Sequence, residues 1–271
     1  DSLYPFNYSG KTDPRGFYVG RDKFGSNILV DFNQRADDKT NGSILILGNS
    51  GQGKSYLLKL ILCNLREAGL NVICLDPEME YEDLTNNLGG CFIDLMGGRF
   101  LINPLEPKVW DEGEGLEDPD APETFRIRSR LSQHISFLKD FFRSYKDFTD
   151  REIDVIEIMV QRLYARCGLT DETDFQMLGS KDYPTLSELY GLIEAEYKGF
   201  DSGERQLYTA ELLQNILLGL HSMCRGPEAK FFNGHTNITD SSFVTFGVKG
   251  VLQASRNLRD ALLFNLSLIH I

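Results

Sequence analysis

Residues 44 to 68 join three patterns without a break: the apolar run Ile44-Leu45-Ile46-Leu47, the octet Gly48-Asn49-Ser50-Gly51-Gln52-Gly53-Lys54-Ser55, and a stretch with apolar residues at helical spacing. The short apolar run reads as a strand buried on both faces of a parallel sheet. Leu57, Leu58, Ile61, Leu62 and Leu65 mark one face of a helix, and Gly69 supplies its stop. Strand, glycine loop and helix therefore follow in order. The octet meets the pattern G-x-x-x-x-G-K-[ST] at Gly48, Gly53, Lys54 and Ser55, with Gly51 as a further flexible point. Such glycines let the backbone wrap so that successive N–H groups face a β-phosphate, and the helix N-terminus adds a favourable dipole. Residues Gly48, Asn49, Ser50, Gly51, Gln52, Gly53, Lys54, Ser55 and Tyr56 are accordingly expected to bind a nucleoside triphosphate. Lys54 would neutralise the β- and γ-phosphates, and the Ser55 hydroxyl would coordinate Mg²⁺. The bland alternative is a glycine turn before an ordinary helix, which the flanking strand and helix patterns oppose.

Val72-Ile73-Cys74-Leu75 predicts a second buried strand ending in Asp76, completing a βαβ unit with a right-handed crossover. The segment Leu75-Asp76-Pro77-Glu78-Met79-Glu80-Tyr81 then lies at the carboxyl end of that strand, the edge on which open α/β sheets bind ligands. Asp76 is a candidate carboxylate for the metal shell; a solvated acidic loop is the alternative. Before the octet, residues 16 to 32 read as a β-hairpin. After it, Cys91-Phe92-Ile93 and the segment 100 to 105 are candidate sheet edges. The acidic, Pro- and Gly-rich stretch 106 to 123 reads as a linker or exposed loop. Helices are predicted over 124–146, 150–167, 186–198 and 204–223, two of them opened by the capping boxes Thr149-x-x-Glu152 and Thr185-x-x-Glu188. The pattern returns to strand at 243–248 and to helix at 254–264. An α/β domain interrupted by an all-helical insertion accounts for that return.

Composition narrows the function classes. With 41% hydrophobic and 25% charged residues in a chain of 271 this is ordinary globular composition, and no run approaches the roughly 18 apolar residues of a membrane span. A formal charge of −12 opposes an all-over basic surface of the kind that binds nucleic acid non-specifically. Cys63, Cys74, Cys91, Cys167 and Cys224 show no CxxC pairing and read as reduced, mostly buried thiols. The histidines are equally scattered and suggest no metal. Asn103-Pro104 reads as a turn, with a hinge or adenine-side element as the alternative. Arg256 and Arg259 are either solvated helix charges or arginine fingers toward a neighbouring subunit. The chain opens at Asp1 and stops in the apolar run Leu266, Leu268, Ile269, so it reads as a fragment.

The ordered set GNSGQGKSY, LDPEMEY, GGCFIDLMGGRFLINPL, KFFNGHTNI and VTFGVKGVLQASRNLRDALLFN resembles the ATPase domain of conjugal-transfer proteins, the VirB-four or TraE-like family of the HerA and FtsK superfamily. The resemblance implies a RecA-like P-loop NTPase core with an all-helical insertion. The core's first part would occupy 1–105 with a small β element, the linker and insertion 106–235, and the returning core 236–271. It also implies an ATP-driven motor of type IV secretion at the inner face of the cell membrane, commonly a hexamer, working with other secretion components on DNA or protein. Relatives carry a motif similar to Asp-Pro-His-Gly-Glu-Tyr, so Asp76, Pro77, Glu80 and Tyr81 match while Glu78 and Met79 differ. By that match Glu80 is the candidate for activating or positioning water, beside Lys54 as the second catalytic residue. The family's Walker B strand and its glutamine and arginine elements would follow the helix 254–264. Without them the polypeptide is expected to bind nucleotide better than it hydrolyses it. Two other readings stand beside this one: a DNA-pumping motor or coupling protein of the same superfamily, and a nucleotide-binding scaffold without turnover.

Overall fold

The computed structural model describes residues 13, 15–32, 43–107, 130–201, 207–238 and 241–267. Most of the expected linker, the starts of the expected helices 124–146 and 204–223, and the tail 268–271 lie outside the described residues.

Strands β1 (Phe17–Arg21) and β2 (Asn27–Val30) pair antiparallel, with Phe17 opposite Val30 and Arg21 opposite Asn27. The turn between them is closed by Asp22, whose carboxylate accepts the N–H groups of Phe24 and Ser26 at 2.8 and 2.9 Å. Helix α1 (Lys54–Glu67) follows the glycine octet and buries Ile61 and Leu62. Next come β3 (Val72–Asp76), α2 (Glu82–Asn87) and β4 (Cys91–Asp94). After the helical insertion the chain returns as β5 (Phe243–Gly247), every residue of which is buried. The sheet order is β3-β5-β4. Val72 N–H donates to Ser242 O, and four residues further along β3 Asp76 O accepts the N–H of Val248, six residues beyond Ser242, so β3 and β5 run in the same direction. A central strand of a parallel sheet is covered on both faces, which is why Phe-Val-Thr-Phe is nearly unbroken apolar sequence.

The chain divides into two compact units. The first holds the described residues up to Cys74, with Glu80–Cys91 and Ser241–Thr245. Its core is Leu62, Val72, Cys74, Tyr81 and Phe243, with Leu65, Leu84 and Leu88 packed against it. Beside this core the buried Thr85 and Thr245 hydroxyls meet at 2.7 Å.

The second unit holds Leu75–Met79, the described residues from Phe92 to 238, and those from Phe246 onward. Its helices are α3 (Arg130–Tyr145), α4 (Asp150–Arg166), α5 (Leu186–Lys198), α6 (Ala210–Cys224), α7 (Ala229–Phe232), α8 (Lys249–Leu252) and α9 (Arg256–Leu266). Helix α3 buries Leu131, His134, Ile135, Leu138, Phe141, Phe142 and Tyr145, a broad helical face. Phe137 of α3 stacks on Phe264 of α9 at 4.9 Å, and Phe141 meets Phe232 of α7 edge to face. Each fully buried phenylalanine contributes about 1.5–3 kcal/mol, so this aromatic seam is a principal source of the unit's stability.

Four expectations need correction. Ile44–Leu47 forms no strand among the described residues, and Ile44, Leu45 and Leu47 are exposed, Leu47 to 81%. A strand exists only with a ladder partner, and here the sheet neighbour of β3 is β5. The first strand of the expected βαβ unit is therefore absent from this sheet. β3 itself is buried on one face only, since Ile73 and Leu75 point outward at 46% and 56% exposure from the edge of the sheet. The segment 100–105 is not a strand either. Its N–H groups bind side chains instead: Leu101 N–H donates to Asn237 Oδ1 at 2.7 Å and Asn103 N–H to Thr236 Oγ1 at 3.0 Å. The first residues of the expected linker, Glu106 and Pro107, are buried.

The helix ends follow their caps. Thr149 and Glu152 form the full capping box of α4, the Thr149 N–H donating to the Glu152 carboxylate at 2.7 Å. Glu188 binds the Thr185 N–H at 2.7 Å. Helix α6 begins at Ala210, later than its apolar pattern predicts, because Thr209 Oγ1 accepts the Leu212 N–H and caps it there. Thr149→Ala is expected to lower stability by about 1–2 kcal/mol, because it also strips a partner from the buried Glu152. Urea unfolding of the variant against the parent chain measures this.

Candidate functional site

The octet is a solvent-facing loop entering a 14-residue helix. Gly51 and Gly53 have φ of 77° and 83°, the left-handed region that side chains avoid. No atom lies within 4 Å of where their Cβ atoms would be, so open space adjoins both. Gly53 is also the N-cap of α1, which presents the unpaired N–H groups of the first helical turn to that space. The Lys54 ammonium folds back over the loop and donates to Asn49 O at 2.8 Å. Its stem passes Gly48 at ordinary contact distance, 3.5 Å from a Cβ placed there. Here a cation rests on a partial negative charge at the loop mouth, where a phosphate oxygen is the stronger acceptor. Ser55 is exposed on the first turn, and Tyr56 is 75% exposed beside it. Glycine torsions, free helix N–H groups, a lysine and a hydroxyl in this order suit a triphosphate with its divalent cation.

The acidic turn is built differently. Asp76 is fully buried, and its Oδ1 accepts the Glu78 N–H at 3.2 Å, so the carboxylate closes its own turn. Pro77, Glu78 and Glu80 are exposed, while Tyr81 is buried and starts α2. The Lys59 ammonium lies over the Tyr81 ring at 5.2 Å. The octet and Glu80 belong to the first unit and Asp76 to the second.

Asn103 and the two arginines of α9 each have partners within the chain. Asn103 is fully buried, its Nδ2 donating to Pro184 O at 2.9 Å and its Oδ1 accepting Leu105 N–H, which makes it a turn that fastens the insertion. Arg256 and Arg259 both pair with Asp260, at 3.5 and 3.0 Å. The cysteines form no disulfide; Cys74 and Cys224 are buried, and burial pushes the Cys224 thiol up to about 12. Among the described residues no cluster of His, Cys, Asp and Glu side chains could hold a metal alone. A Mg²⁺ ion at the octet would therefore take much of its coordination from the phosphates.

Sequence reasoning missed Met79, whose φ of 63° is the one positive value among described non-glycine residues, and Gly247, against which it packs. The available signal was a methionine at the place where the resembling motif carries glycine.

Residues 35–165 match the family described as helicase HerA, central domain. The solved structure of VirB4 of Thermoanaerobacter pseudethanolicus superposes with a TM-score of 0.79 at 30% identity, over 96% of this chain and 63% of that one. The uncharacterized protein pXO2-09 of Bacillus anthracis is 25% identical over 283 residues, covering 96% of this chain and 41% of its own length. This chain thus spans less than half of that curated relative and under two thirds of the solved one. Its mixed α/β fold and phosphate loop define a P-loop NTPase core. Within that class the likeness is to VirB4/TraE-like ATPases of the HerA/FtsK superfamily.

Gly53→Ala places a side chain in a left-handed cap, at a cost of about 1–2 kcal/mol, and disturbs the start of α1 on which Lys54 sits. Binding of a fluorescent ATP analogue is expected to weaken by about tenfold or more. Titration and thermal melting of the variant read both effects.

Proposed function

We propose that this chain is the ATP-binding motor domain of a type IV secretion machine, hydrolysing ATP to power conjugative transfer of DNA or protein. The observation that carries the reading is the Lys54 ammonium laid across a loop with two left-handed glycines, at the N-terminus of a long helix. Likeness to VirB4 and to the HerA central domain supports placing that loop in a motor.

In this reading the loop N–H groups and Lys54 bind the β- and γ-phosphates and hold the γ-phosphoryl group in line for attack. Mg²⁺, when bound, offsets the charge that develops on the phosphate oxygens. Ser55 is the residue of the octet that would hold it. Glu80, exposed at the start of α2, orients the attacking water and accepts its proton. The working assembly is a hexamer of this chain at the inner face of the cell membrane, alongside other secretion components. No helix among the described residues is long and apolar enough to cross a membrane.

The match to the HerA helicase domain favours a DNA-translocating motor as the second reading. A net charge of −12 weighs against it, because channel binding to phosphates draws on lysine and arginine.

Steady-state ATP hydrolysis by the natural full-length protein is expected to vanish on Lys54→Ala. Glu80→Gln is expected to retain ATP affinity while kcat falls by about a hundredfold or more. Hydrolysis surviving Lys54→Ala sinks the proposal, and tight ATP binding with no phosphate release from the parent replaces it with a scaffold role. Turnover stimulated several-fold by DNA moves the assignment to the DNA motor.

A further inference from the structure

We infer that Met79 is a positioning residue for this reaction: its left-handed backbone, locked by its thioether against Gly247, sets the direction in which Glu80 leaves the end of β3. The inference rests on the assignment of ATP hydrolysis to this site.

A long side chain at φ 63° is disfavoured because its Cβ crowds the backbone. Such conformations persist where their surroundings over-determine them, and they gather at functional sites. The surroundings of Met79 do so. Asp76 closes the turn before it by accepting the Glu78 N–H, and Asp76 O accepts the Val248 N–H at 3.0 Å, tying the end of β3 to the residue after β5. Gly247, the last residue of β5, is buried. A Cβ there would overlap Met79 Sδ and stand 3.1 Å from its Cε and 2.9 Å from Phe92 Cζ. The thioether thus fills the place that any other residue at 247 would occupy. Glycine at 79 would satisfy the torsion without strain, so what methionine adds is this contact.

The strand on the other side of β5 is fastened in the same way. Asp94 Oδ1 accepts the Met96 N–H at 3.0 Å, and a Cβ on Gly250 would lie 2.8 Å from Met96 Cγ. Both neighbours of β5 therefore end in an aspartate-closed turn followed by a methionine on a glycine backbone. Only Met79 combines that packing with a positive φ, and only Met79 directly precedes a candidate catalytic carboxylate. On the far side of Glu80, Tyr81 is buried and its carbonyl accepts both the N–H and the hydroxyl of Thr85, at 2.9 and 2.7 Å. Glu80 is an exposed carboxylate between two fastened neighbours. That is the arrangement a water-orienting group needs, because a misplacement of about 1 Å costs on the order of a hundredfold in rate.

The test uses the natural full-length protein. Met79→Gly removes the thioether and the strain together. Its kcat for ATP hydrolysis is expected to fall about tenfold or more with KM for ATP unchanged and Tm equal or higher. Met79→Leu keeps an apolar side chain over Gly247 and retains most of the parent kcat. Gly247→Ala lowers both Tm and kcat, and combining it with Met79→Gly recovers Tm without recovering kcat. Parent-like kcat in Met79→Gly overturns the inference, as does a fall in kcat that only follows a fall in the folded fraction. A parent protein with no ATP turnover overturns the functional reading itself, and the positioning role with it. Turnover in the parent that Met79→Gly leaves untouched overturns the positioning role alone.

Discussion

The structure depends on one pairing: β5, a strand that arrives after the whole helical insertion, between β3 and β4. Its burial is complete, so a polar residue inside it needs a partner, and Thr245 finds one in Thr85. Phe243 enters the core of the first unit. Gly247 and Val248 fasten the ends of the flanking strands in the second. Parallel pairing requires a long crossover, and the insertion is built into that crossover. A chain with such distant sheet partners must close its largest loop before the central strand is stabilised.

The insertion is a fastened body in its own right. Its approach, residues 101–107, gives up strand geometry because its polar groups are bound from elsewhere in the chain. Asn103 reaches Pro184, the His134 ring bonds Pro104 O at 2.9 Å, and the Tyr164 hydroxyl donates to Leu105 O at 2.9 Å. Hydrogen bonds to its backbone are what let a buried irregular segment lie under helices. Asn103-Pro104 is thereby a structural anchor for the module.

The octet and the acidic turn obey different physics. The octet is governed by local torsions: glycines at positive φ, a helix start and a lysine that can fold back, all within a few residues. The acidic turn is governed by contacts that the local sequence does not contain, since Met79 holds its torsion through a glycine in β5. A local motif survives transplantation between chains far better than a non-local one, which is why the first is recognisable in many proteins and the second is not.

Helix positions, two capping boxes, the hairpin, the phosphate loop and the presence of an insertion were all legible in the sequence, because each follows from spacing or from chemistry within one or two turns of chain. Sheet membership was not. Ile44–Leu47 and Phe243–Gly247 are equally apolar runs, and only the second has ladder partners among the described residues. The sequence by itself determined the glycine torsions and the charge of the loop at 48–55, since φ preference and charge are properties of the residues. Only the tertiary structure decided that Asp76 is buried in its own turn, that Asn103 is an anchor and that Met79 takes a glycine's torsion. Those outcomes depend on which distant backbone comes to lie against them, and no local pattern encodes that.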